Sequence, residues 1–100
     1  MHTSATICDA IRTRSVLSFD YEGFHRLVEP YCHGISKNGE ALRAIQVGGE
    51  SRSGKKGFGF GKLWIVAEIQ NIQKNGQTFI PDDPQYNPHD KAMKHICCRI

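Results

Sequence analysis

Apolar side chains recur along this chain at two different spacings. Near the N-terminus Ile7, Cys8 and Ile11 stand three and four positions apart behind Ser4, a residue suited to capping a helix start. A short amphipathic helix is therefore predicted over residues 5–14, with Arg12 and Arg14 at the end where cations favour the dipole. From Ser15 the pattern changes. SVLSFDY mixes apolar and polar positions as a strand does, Glu22-Gly23 reads as a turn, and FHRLVEPYCHGIS is a second extended stretch. Pro30 cannot donate to a ladder, so it marks a sheet edge or a bend.

Lys37-Asn38-Gly39 is a hairpin signal, since Asn-Gly takes positive φ readily. A third strand, ALRAIQV at 41–47, sends Leu42, Ala44 and Gln46 one way and Ala41, Arg43, Ile45 and Val47 the other. KLWIVAEIQNI is the most apolar run and the fourth strand, its latter part bending around a core. Asn75-Gly76 suggests another turn, QTFIP a brief extension, PDDPQYNPHD a proline-rich surface connection, and KHICCRI a closing strand. Short strands after one helix predict a mainly β protein: a small, bent antiparallel sheet or barrel with one short N-terminal helix. Residues 1–100 form a single domain in this reading, with helix 5–14, barrel core 15–73, and a C-terminal connection and closing strand over 74–100.

Composition narrows the class. At 39% hydrophobic and 23% charged residues the chain is globular in character, and 100 residues leave room for one core. No stretch approaches the ~18–20 apolar residues of a membrane helix, and MHTSATICD lacks a signal-peptide layout, so a cytoplasmic location is expected. Cys8, Cys32, Cys97 and Cys98 include no C-x-x-C pair, and buried thiols are expected. Cys32, His33, His95 and Cys98 are zinc-type ligands whose spacing matches no familiar site; no metal and no cofactor are predicted.

Charge placement says more. The net charge is +3, and residues 50–62 carry Arg52, Lys55, Lys56 and Lys62 against Glu50, which is the whole excess. The segment begins within GGESRSGKK, which is close to a phosphate-binding P-loop pattern. Lys56, however, stands where a magnesium-binding hydroxyl is needed, and GFGFG follows. Each of those glycines costs a helix about 1 kcal/mol relative to alanine. A basic, glycine-rich loop between strands is predicted instead, its amides and Arg52, Lys55 and Lys56 able to embrace phosphates. Phe58 and Phe60 would stack on bases or belong to the core.

The order of segments has a likeness. AIRTRSVLSFDY, then RLVEP at 26–30, GEALRAI at 39–45 and WIVAEI at 64–69 together resemble the WYL family. The resemblance covers about residues 7–73 and rests on the helix, Tyr21, Arg26, Val28 and Pro30. Two positions depart from the family: Ala41-Leu42-Arg43 stands where Trp-Tyr-Leu is usual, and Ala67-Glu68 where Asp-Arg is usual. The resemblance implies an SH3-like or Sm-like barrel. It also implies a ligand-sensing module of the kind found in bacterial transcription regulators and defence-associated proteins, many of which bind nucleic acid or nucleotides.

Individual residues follow from both readings. Arg26 is expected to line an anion site or to pair with Glu29 or Asp20. Arg43, inside an apolar strand, needs a partner, and Glu68 is the cross-strand candidate. Tyr31 and His33, two apart, are expected on one face, where with Arg26 they would form a polar pocket. The anion-binding set is thus Arg26, Tyr31, His33, Arg43, Arg52, Lys55 and Lys56. No local nucleophile pattern is present, and a non-enzymatic, phosphate-recognising regulatory module is expected. The alternative is a protein-interaction or homo-oligomerising module.

Overall fold

Where Arg14 takes a left-handed φ of 54°, the N-terminal helix stops and the first strand begins at once. The computed structural model describes residues 3–49, 63–84 and 86–100. Helix α1, Thr3–Thr13, buries Ile7 and Ile11 as their spacing foretold, together with Ala10, while Cys8 is half-buried. Strands β1 (Ser15–Tyr21) and β2 (Phe24–Ser36) are joined by Glu22-Gly23, at φ 55° and 82°. Two left-handed residues suit the twist of a two-residue hairpin. Lys37-Asn38 connects β2 to β3, Gly39–Gly49, with Gly39 at φ 103°.

The predicted fourth strand is divided. β4 is only Leu63–Ile65; a 3-10 turn at Val66–Glu68 follows, then β5, Gln70–Thr78. The apolar run hid this break because Val66 and Ile69 are core residues on either side of it. The turn is needed because β4 pairs with β3 while β5 pairs with β1, at the other end of the sheet. Asn75-Gly76 is not a hairpin turn. Between Leu17↔Lys74 and Ser15↔Thr78, β5 takes four steps against two in β1, a bulge in which Gly76 has φ 87°. β6, Met93–Arg99, is the expected closing strand.

All pairings are antiparallel, in the order β4-β3-β2-β1-β5, with β6 also on β2. The sheet is bent and open. β2 is its spine. One edge pairs with β3; the other pairs with β1 over Phe24–Val28 and with β6 over Cys32–Ser36. Pro30 falls between those two ladders, where a missing N–H matters least, and the backbone N–H of Ile100 donates to Tyr31 O there at 2.9 Å.

Apolar side chains pack on both faces. Against α1 lie Leu17, Phe19, Tyr21, Val28, Leu42, Ala44 and Trp64. The opposite face holds Val16, Tyr31, Ile45 and Phe79, with Cys32, Ala41 and Met93 beside them. The alternation read in β3 is therefore correct: Leu42 and Ala44 point to the helix side, Ala41 and Ile45 away.

Candidate functional site

Four elements, α1, β2, β3 and β6, bring a chain of polar side chains together between the helix and the sheet. Ser4 and Cys8 are four residues apart and so share a helix face. His33 sits on β2, Glu40 at the start of β3, and Cys98 on β6 directly across from His33 in the ladder. His33 Nε2 lies 2.5 Å from Glu40 Oε2, and the Ser4 hydroxyl donates to the same carboxylate oxygen. On the other side of the ring, His33 Nδ1 is 3.4 Å from Cys8 Sγ and 3.6 Å from Cys98 Sγ. Cys8 and Cys98 form a disulfide with their Cα atoms 5.7 Å apart.

Electrostatics fix the roles. Burial pushes the Glu40 carboxyl up, but the hydrogen bonds from Ser4 and His33 outweigh it, and the net shift is below the usual range. An ionised carboxylate only accepts, so Nε2–H of His33 donates to Glu40, and Nδ1 is the ring atom that faces the sulfurs. His33 is 3% exposed, whereas Glu40 and Ser4 line an open depression of about 580 Å³ with Thr3, Ala5, Val66, Ala67 and Ile69. Solvent thus meets the site from the Glu40 side.

This arrangement corrects the expectation for the cysteines. Cys8 and Cys98 are cross-linked, Cys97 is exposed, and Cys32 alone is a buried free thiol, its pKa pushed up to about 11 by burial. The four ligand-type residues weighed together do not meet: Cys32 packs with Ala41 and Met93, and His95 is exposed on β6. The group that does converge is Cys8, His33 and Cys98. Only the shared face of Ser4 and Cys8 was legible beforehand, because the rest depends on which strands pair.

The predicted anion residues occupy different surroundings. Arg26 is 3% exposed; its Nη2 donates to Tyr21 O at 3.0 Å and Nη1 to Gln46 Oε1 at 3.3 Å. Its guanidinium carbon lies 5.4 Å from the Trp64 ring centroid, 5.7 Å from Phe24 and 5.8 Å from Tyr21. Its acidic neighbour is Glu22, at 3.4 Å, rather than Glu29 or Asp20. Arg43 is held by Asp90, not by Glu68. Glu68 lies in the 3-10 turn, off the strand that would have faced Arg43; Leu63 takes that place.

Tyr31 and His33 do not share a face. A bulge in the β2–β3 register between Pro30 and Cys32 breaks the two-residue alternation. Tyr31 therefore packs with Phe79 and Tyr86 away from the helix, while His33 turns toward it. Arg52, Lys55, Lys56, Phe58 and Phe60 lie outside the described residues. No family model matches the chain, and neither a curated protein nor a solved structure matches it.

Proposed function

We propose that this protein is a WYL-like, non-enzymatic binding module that recognises a phosphate-bearing ligand, nucleic acid or nucleotide. The reading rests on where positive charge collects. Residues 50–62 contain the entire excess of +3, in a glycine-rich sequence joining β3 to β4. Leu63, the next residue, lines a hollow of about 340 Å³ with Lys37, Lys91, Lys94 and Ser36. Two cationic features thus adjoin in the chain, the segment and the hollow at its end. Arg26 and Arg43, each tied to internal partners, support the framework that carries them.

Binding by several cations releases counterions, so affinity falls steeply with salt. Fluorescence anisotropy with short labelled single-stranded oligonucleotides, at low and high salt, tests the reading. Binding that weakens with salt and is lost in the Arg52→Ala/Lys55→Ala/Lys56→Ala variant supports it. No binding at low salt ends it.

A further inference from the structure

We propose that Cys8 Sγ, Cys98 Sγ and His33 Nδ1 form a zinc site that reduction of the Cys8–Cys98 disulfide opens. The inference is independent of the phosphate reading. The three ligand atoms lie within 4.8 Å of one another, and come from α1, β2 and β6. Two thiolates and an imidazole are the donor set that Zn²⁺ favours, and three protein ligands leave a fourth position for water or an outside ligand.

The surroundings of His33 are what separate a ligand site from two cysteines beside a ring. A zinc-bound imidazole characteristically donates its other N–H to a carboxylate, which fixes the ring and raises its basicity. Glu40 meets Nε2 in that way, and Ser4 in turn orients Glu40. Nδ1 faces both sulfurs, 3.4 Å from Cys8 and 3.6 Å from Cys98. In a disulfide the sulfurs are bonded to each other; around tetrahedral zinc, two bonds of about 2.3 Å set them roughly 3.7 Å apart. Cys8 and Cys98 are only half-buried, so their side chains have room to separate.

The chemistry balances with a dithiol as reductant. It transfers two electrons and two protons to the Cys8–Cys98 bond, which breaks to give two thiols, and the reductant closes to its own disulfide. Zn²⁺ then takes both sulfurs as thiolates and the two protons pass to solvent. With a small-molecule disulfide as oxidant the sequence reverses: it takes two electrons from the two thiolates and two protons from solvent to become a dithiol, the Cys8–Cys98 bond re-forms, and Zn²⁺ is released. The same three residues therefore hold either a covalent cross-link or a cation.

The test uses the whole chain, reduced with dithiothreitol, freed of reductant without air, and titrated with Co²⁺ and then Zn²⁺. A single equivalent of Co²⁺ giving a thiolate-to-cobalt charge-transfer band, displaced by Zn²⁺ and absent from the oxidised protein, is expected. The Cys32→Ser/Cys97→Ser variant should keep the band. His33→Gln and Cys98→Ser should each weaken binding more than ~100-fold, and Glu40→Gln by ~10-fold to 100-fold, since it removes only the orienting carboxylate. Far-UV circular dichroism of the reduced, metal-free wild type and of each variant controls for folding, because reduction removes a cross-link that stabilises the chain. Absence of the band in reduced protein, its loss in the Cys32/Cys97 variant, or its persistence at full affinity in either His33→Gln or Cys98→Ser would overturn the proposal.

Discussion

Arg43 on β3 and Asp90, just ahead of β6, grip each other at two points: Nε to Oδ2 at 2.7 Å and Nη2 to Oδ1 at 3.2 Å. Asp90 also accepts from the backbone N–H of Ala92, so the pair ties the proline-rich connection to the sheet where β6 begins. The side chains are 15% and 10% exposed, a weakly hydrated setting in which removing one charge of a two-point ion pair is costly. Asp90→Asn should cost about 3 kcal/mol at neutral pH, read by urea unfolding.

That cost depends on pH. The hydrogen bond and charge of Arg43, helped by Ala92, hold the Asp90 carboxyl below its ordinary 3.8 against the opposing effect of burial. Folding thus favours the ionised form. Its contribution is fully present above the unfolded value and fades as pH falls through the lower, folded one. The stability gap between wild type and Asp90→Asn should therefore narrow in titrations carried below pH 3.8.

Arg26 is a charge enclosed by aromatic rings, with Nε lacking any hydrogen-bond partner among the described residues. Truncation and charge removal should consequently differ. Arg26→Ala leaves a cavity beside Trp64 and deprives Gln46 of a donor, and should destabilise by about 3 kcal/mol, with red-shifted Trp64 emission. Arg26→Met fills the space without a buried charge and should cost about 1 kcal/mol or less. Equal losses in the two variants would mean that charge, not volume, is what the rings require.

The Cys8–Cys98 bond spans a sequence separation of 90 residues. In the chain-entropy account, a loop of that size stabilises by about 4 kcal/mol, because it restricts the unfolded chain. Thermal melts in metal-free buffer should show a clear fall in Tm on reduction. Cys8→Ser/Cys98→Ser should melt near the reduced wild type and be indifferent to reductant.

At Gly34 the backbones of β2 and β6 leave no room for a side chain. A Cβ there would stand 2.1 Å from the backbone oxygen of His95, which no side-chain adjustment relieves. Gly34→Ala should therefore push β6 away, losing amide protection over Met93–Arg99 in hydrogen exchange while leaving α1 and β1 protected. It should also slow formation of the Cys8–Cys98 bond after reduction, measured by thiol labelling.

Local patterns carried most of the fold. The alternation in Ser15–Tyr21 and the turn at Glu22-Gly23 depend on near neighbours, so both are readable from the chain. The misreadings share one cause. Where a strand changes partner or slips register, as at Pro30–Cys32, Val66–Glu68 and Asn75-Gly76, the two-residue period no longer tells which way a side chain points. Tyr31 and His33 were assigned a common face for that reason. Arg43 was recognised as needing a partner, because a buried charge always does, but Asp90 lies 47 residues away and nothing local indicates it. The Cys8, His33 and Cys98 cluster is likewise a product of helix docking and strand pairing, which spacing alone does not encode.

The bond between α1 and β6 also decides how the molecule would bear a mechanical load. Tension applied at the two ends of the polypeptide would run through Cys8 and Cys98, bypassing the strands between them. Oxidised, the domain would behave as a stiff link with little length to yield. Once the sulfurs part, the same pull would shear β6 from β2 and let out the slack stored in the sheet.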